Sequence, residues 1–245
     1  MEILVTGGTG TLGRVVVERL RDRGHVPRVL SRHTGPGRVV GDLESGAGIA
    51  DAVRGVDAVV HAATRAGHDV GQAGTLLDAL RAAEVPHVVF VSIVGVDRVP
   101  LRYYRDKVKV ERLVAESGVP WTVLRATQFH NLLAMLFGVL GRSPVLPVLA
   151  GASFQPVDVH DVADRLVDLA LGAPAGRVPD LGGPQVRTMA DLARSWAAGT
   201  SRRRAVLPVR LPGGLARAVR NGGLTAPGHA DGRTTFEEFL AAQNA

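Results

Sequence analysis

The chain has 245 residues, 29 Lys and Arg against 23 Asp and Glu for a formal charge of +6, and 46% hydrophobic against 21% charged residues. That composition excludes a disordered chain and is long enough for one sizeable core with appended pieces. With no cysteine, disulfide staples, thiolate metal sites and a cysteine nucleophile are excluded, and the expected location is the reducing cytoplasm.

The first predicted strand covers residues 3–5. Met1 and Glu2 before it form neither a cationic n-region nor an apolar h-region, so no signal peptide is expected. Gly7-Gly8-Thr9-Gly10-Thr11-Leu12-Gly13 follows and opens a helix over 13–23, with Val15, Val16, Val17 and Leu20 on its apolar side. Gly24 stands where a C′ glycine ends a helix. A second strand is expected at 26–30, a short helix at 49–53, a buried strand at 58–62 and a helix at 74–83. Val88, Val89, Phe90 and Val91 are four consecutive apolar residues between Pro86 and Gly95, as a central parallel strand requires. A charged amphipathic helix at 105–117 and a strand at 121–124 complete the alternation. Short β-branched runs alternating with helices predict an α/β fold with a parallel sheet.

Beyond residue 130 the regularity loosens. Helix starts are expected at Asp161, Thr188 and Thr235, each with an acidic residue three positions on. We expect residues 1–130 to form a nucleotide-binding core, and 131–245 to complete the sheet and make a small substrate-binding cap. Residues 132–140 are apolar but span about half of the roughly 20 residues a membrane helix needs, so no membrane segment is expected.

The glycine-rich turn carries the clearest chemistry. Gly7 permits a tight turn, Gly10 lets the backbone approach a pyrophosphate, and Gly13 lets the helix lie close to the strand. Thr9, Thr11 and Leu12 complete the loop at a helix N-terminus, where free amides and the dipole favour anions. A glycine triplet between a strand and a helix inside a βαβ unit predicts dinucleotide binding. After the second strand stands Ser31-Arg32, where an NAD site places a carboxylate on the ribose 2′-hydroxyl. A guanidinium there suits a 2′-phosphate, so NADP(H) is expected over NAD(H). Asp42, Leu43, Ala62, Ala63 and Thr64 lie at the C-terminal ends of the next strands and are expected to wall the adenine and ribose pocket.

Several runs together resemble the NmrA-like, atypical branch of the short-chain dehydrogenase/reductase superfamily. They are the opening 6–13, Phe90-Val91-Ser92-Ile93-Val94-Gly95, Tyr103-Tyr104-Arg105-Asp106-Lys107 and Trp121-Thr122-Val123-Leu124-Arg125-Ala126-Thr127-Gln128-Phe129-His130. Residues 154–163 and 232–240 are similar to the same group. The resemblance implies a Rossmann-type, doubly wound parallel sheet with a small C-terminal substrate lobe. It also implies a reductase centre in which Tyr103 donates a proton to the substrate oxygen while Lys107 holds the nicotinamide ribose and assists the phenol. Their spacing of four puts both on one face of a helix. Ser92 would be the serine of that centre, and Thr127, with Gln128, would pass the nicotinamide. Fully catalytic members carry their serine slightly beyond the strand end, where this chain has Ile93 and Val94. Some NmrA-like proteins keep the cofactor and have lost turnover. The two readings are therefore an NADP(H)-dependent oxidoreductase for a carbonyl, quinone or related group of a small apolar molecule, with residues 131–154 as an apolar wall, and a non-catalytic NAD(P)-binding sensor.

Other chemistries find no support. His61, His130, His160 and Asp158 show no metal-ligand spacing, so no metal is expected, and neither a Gly-x-Ser-x-Gly elbow nor a lysine-bearing P-loop occurs. The arginines Arg202, Arg203, Arg204, Arg210, Arg217 and Arg220 lack interleaved aromatics and read as a solvated face, so a small-molecule substrate and no nucleic acid are expected.

Overall fold

The computed structural model describes residues 1–199 and 204–243. In chain order the elements begin with β1 (Glu2–Thr6), α1 (Thr11–Asp22), β2 (Val26–Ser31), β3 (Arg38–Val40), α2 (Ile49–Val53), β4 (Ala58–His61), α3 (Asp69–Ala82), β5 (Val88–Ile93), α4 (Arg102–Glu116) and β6 (Trp121–Ala126). They continue with α5 (His130–Leu140), β7 (Val145–Leu149), β8 (Ser153–Phe154), α6 (Val159–Leu171), β9 (Gly176–Arg177), β10 (Arg187–Thr188), α7 (Met189–Ala198), β11 (Ala205–Val209), α8 (Gly214–Arg220) and α9 (Phe236–Gln243).

The chain divides into two units. The first comprises Met1–Ser92, Arg102–Arg125 and Val162–Pro179, and is built on a seven-stranded parallel sheet in the order β3-β2-β1-β4-β5-β6-β9. β4 is buried along its whole length and β5 along most of it, as strands covered on both faces must be. On one face Leu4, Val59 and Phe90 join Ile49 and Val53 of α2, Leu76 and Leu80 of α3, and Val110 and Val114 of α4 in one core. α1 is tied to α6 by Arg19–Asp164 at 2.8 Å and Arg23–Asp168 at 2.5 Å. The sheet is therefore the doubly wound Rossmann type. Strand order switches direction between β1 and β4, and at such a switch the C-terminal ends of the strands open a crevice.

The second unit comprises Ile93–Leu101, Ala126–Asp161 and Asp180–Ala245. It contains a parallel β7–β11 pair, an antiparallel β8–β10 pair and the helices α5, α7, α8 and α9. Phe236 and Phe239 of α9 lie 5.6 and 5.1 Å from the His130 ring. Phe137 meets Trp196, ring centroids 6.2 Å apart.

Some elements depart from the expected bounds. α3 starts at Asp69 rather than 74, because the Asp69 carboxylate accepts the Arg65 amide at 2.5 Å and so organises an extra turn. α4 starts at Arg102 rather than 105. Residues 130–140, to which the sequence assigns no element, form α5, whose dense apolar composition hid the helical period. Asp161 is not a helix cap. α6 begins at Val159, Asp158 accepts the His160 amide at 2.7 Å, and Asp161 instead accepts from the Arg233 amide, the Arg233 side chain and the Thr234 amide. The other two starts are as expected: Thr188 Oγ1 accepts the Asp191 amide at 3.1 Å, and Thr235 and Glu238 exchange the two bonds of a capping box.

Candidate active site

β1 runs buried from Ile3 to Thr6 into the glycine turn. Gly7 has φ +69°, and a Cβ there would stand 2.7 Å from the Ala63 nitrogen and 2.8 Å from the Ala62 carbonyl. At Gly13 a Cβ would meet the Gly7 oxygen at 2.2 Å. Both positions are closed by backbone, so only glycine fits. Gly10 differs: it is exposed, and its added Cβ would meet only the Gly7 oxygen, at 3.2 Å. The Gly10 amide donates to that oxygen at 2.9 Å, which pins the turn. Gly10 also caps α1 without any side-chain hydrogen bond, and the helix has no acid in its first turn. This leaves an anion-favouring helix start with a side-chain-free approach. Thr9 and Thr11 flank it at the surface, and Leu12 turns into the core.

At the end of β2 the Ser31 hydroxyl accepts the His33 amide at 3.1 Å, turning the chain. Arg32 beside it is exposed and has no carboxylate partner among the described residues. Asp42 caps its own loop by accepting the Glu44 amide at 2.9 Å, and Leu43 is buried. Glu44 then meets Arg65 at 2.5 Å and His68 at 3.0 Å, which ties the 42–44 loop to the loop after β4.

That loop is knitted to β1. The Ala62 amide donates to the Thr6 carbonyl at 3.2 Å, the Ala63 amide to Thr6 Oγ1 at 3.2 Å, and Thr6 Oγ1 lies 2.7 Å from His61 Nδ1. Burial, reinforced by the nearby Lys107 ammonium, lowers the His61 pKa to about 3, so the ring is neutral. It stacks on Phe90 with centroids 5.5 Å apart. Among the described residues no group of acids and histidines could hold a metal.

One residue further on, Thr64 Oγ1 lies 2.9 Å from the Tyr103 hydroxyl and donates to Asp69 Oδ2 at 2.9 Å. α4 buries Tyr104, Lys107, Val110 and Val114 on one side. Lys107 Nζ sits 5.5 Å from the Tyr103 ring centroid, 5.2 Å from that of Phe90 and 3.2 Å from Asp69 Oδ2. The expected Tyr103 and Lys107 thus share one face of α4. The hydroxyl that meets Tyr103 is that of Thr64, not of Ser92. Ser92 is buried at the end of β5, and its Oγ has no hydrogen-bond partner. Thr127 belongs to the second unit, where it is buried and its hydroxyl donates to the Gln155 carbonyl at 2.5 Å.

Asp69 was not anticipated from the sequence. Its signal was an acid directly ahead of the apolar series Val70, Ala73, Leu76, Leu77 and Leu80, the position of a helix start. Of the C-terminal arginines, Arg202 and Arg203 lie outside the described residues. Arg204 stacks 4.9 Å from the Trp196 ring and Arg220 donates to the Leu211 carbonyl. No helix among the described residues is long and apolar enough to cross a membrane.

A protein-family model described as NAD(P)H-binding matches residues 7–170. A (4-alkanoyl-5-oxo-2,5-dihydrofuran-3-yl)methyl phosphate reductase of Streptomyces griseus is 34% identical over 76% of this chain and 69% of its own length. The photosystem II assembly factor Ycf39 of Trieres chinensis is 30% identical over 66% of this chain, which spans 57% of that protein. An Escherichia coli NADPH-dependent quinone oxidoreductase, solved with NADPH, superposes with a TM-score of 0.84 at 21% identity over 99% of this chain and 100% of the other, which shows a common fold.

Proposed function

The chain belongs to the NAD(P)H-binding family, and on that premise we propose an NADP(H)-dependent reductase of the carbonyl, quinone or related group of a small apolar molecule. The broader assignment, an NAD(P)H-dependent oxidoreductase of atypical short-chain dehydrogenase/reductase type, rests on the named reductase relative and the shared fold. NADP preference is supported by the unpaired Arg32 and the lack of an acid beside it, and the quinone class by the name of the fold neighbour.

The observation that carries the reading is a chain of contacts within the first unit. Gly7 of the glycine turn abuts the backbone of Ala62 and Ala63, and the next residue, Thr64, touches the Tyr103 hydroxyl. A phosphate-favouring turn and a tyrosine–lysine pair are thereby joined through three consecutive residues. The exposed, side-chain-free face of Gly10 fits a pyrophosphate. In this reading the turn from Gly7 to Gly13 holds the phosphates, Arg32 and Ser31 take the 2′-phosphate, and Asp42, Leu43, Ala62 and Ala63 wall the adenosine. Lys107 holds the ribose hydroxyls. When bound, the dinucleotide supplies the hydride. Tyr103 then gives its phenol proton to the substrate oxygen, a general-acid role suited to a hydroxyl held at a fixed place.

The test is NADPH consumption with a panel of quinones and ketones, in wild type and Tyr103→Phe. Turnover that needs Tyr103 supports the reading. Tight NADPH binding without turnover on any of them favours the second reading, a non-catalytic NAD(P)-binding regulator. That alternative draws on the partnerless Ser92 Oγ and on a relative named as an assembly factor.

A further inference from the structure

Asp69 has no part in the roles above, yet its side chain is only 3% exposed and that of Lys107 only 5%. Donor counting fixes the direction of each bond it makes. A carboxylate only accepts, so the single hydroxyl hydrogen of Thr64 points to Asp69 Oδ2 at 2.9 Å. At the 2.9 Å contact of Thr64 with Tyr103 the threonine oxygen must therefore accept, and the phenol donates. Oδ2 also faces Lys107 Nζ at 3.2 Å, and Oδ1 accepts the Arg65 amide at 2.5 Å. One carboxylate thus governs both the place of the ammonium and the direction of the phenol O–H. A buried ammonium stripped of its counter-charge is strongly disfavoured, so Lys107 stays across the Tyr103 ring because Asp69 is there.

We propose that Asp69, acting through Thr64 and Lys107, is a positioning residue for the Tyr103 acid. The inference rests on the reading of Tyr103 as the proton donor. With the site at rest, Thr64 holds the phenol proton in one orientation. When that proton passes to the substrate oxygen, the phenol O–H bond breaks and the substrate O–H bond forms. The Thr64 hydroxyl then turns from Asp69 to the phenolate and stabilises it, exchanging one hydrogen bond for another and keeping its own O–H bond intact.

The chain contains two lysines, Lys107 and Lys109, and Lys109 is a surface residue 3.4 Å from Asp106. Lys109→Arg therefore leaves Lys107 as the sole side-chain ammonium for ¹⁵N NMR. In that background the Lys107 signal is expected to be resolved and slowly exchanging, and to vanish or move to the free-lysine position on Asp69→Asn. In turnover, Thr64→Val is expected to lower kcat by about 10- to 100-fold with the KM for NADPH within about twofold, the scale on which misplacing a reacting group acts. Thr64→Ser should restore most of the rate. Identical Lys107 signals with and without the Asp69 carboxylate overturn the anchoring, and parental kcat in Thr64→Val, or a loss confined to KM, overturns the positioning. Should Asp69→Asn not fold, the Thr64 pair decides. If the parent protein binds NADPH but turns nothing over, the reductase reading fails by itself, while the NMR comparison still shows whether Asp69 anchors Lys107.

Discussion

A side chain added at Gly10 would meet a single carbonyl oxygen at 3.2 Å and otherwise face the open side of the turn. Gly10→Val should therefore abolish NADPH binding in a calorimetric titration while the melting temperature drops by no more than about 4 °C, the shift that about 1 kcal/mol produces in a chain of this size. Gly13 offers the contrast, since its Cβ would stand 2.2 Å from the Gly7 oxygen, and a substitution there disrupts the turn itself. Arg32 is exposed, so Arg32→Ala should spare stability. It should weaken NADPH binding by about 1.5 to 3 kcal/mol, as expected for bonds to a charged group, and leave NADH nearly unchanged. Equal losses for the two cofactors would count against a 2′-phosphate contact. Tyr103→Phe removes only the hydroxyl that meets Thr64. It should lower kcat by about 10² to 10⁴, with NADPH affinity nearly constant.

The ends of the helices are where local chemistry is most directly testable. Thr235 accepts the Glu238 amide at 3.3 Å and its own amide donates to Glu238 Oε2 at 2.8 Å. This box starts α9, which places Phe236 and Phe239 against His130. Thr235→Ala should destabilise the protein by about 1 kcal/mol in urea unfolding, and Thr235→Ser should recover it. Such caps were legible in the sequence because donor and acceptor lie three residues apart. The start of α6 was misread for the same reason. Asp161 and Asp164 have the spacing of a cap, but Asp161 serves Arg233 and Thr234, partners some 70 positions away that no local pattern reveals. α3 shows a related limit: Gly71 masks its first turn in the sequence, although nothing crowds that glycine in the fold.

Across the molecule, burial of histidine couples stability to pH. The His61 pKa is lowered to about 3 by burial and then by Lys107, while an exposed imidazole titrates near 6.5. Between those values the unfolded chain takes up a proton that the folded chain refuses. The stability due to neutral His61 is thus fully present above pH 6.5 and is lost as pH falls toward 3, with a slope of up to about 1.4 kcal/mol per pH unit. His87 and His130, both lowered mainly by burial, act in the same direction. The urea midpoint should fall between pH 7 and pH 5, and less steeply in His61→Gln. A midpoint that stays level over that range would show that His61 is not held neutral.

What the sequence determined by itself was local. The alternation of β-branched strands with helices, the spacing of the glycines after β1, the arginine after β2 and the four-residue spacing of Tyr103 and Lys107 all act through neighbours within a turn or a pleat, so periodicity and residue type suffice to read them. Only the tertiary structure brought Thr64, from the loop after β4, and Asp69, at the start of α3, onto the face of α4 that carries Tyr103 and Lys107. It also left Ser92 buried away from any polar partner. Those outcomes depend on which strands lie side by side. Strand order is set by packing of the whole sheet and its covering helices, and no repeat within a single segment encodes it.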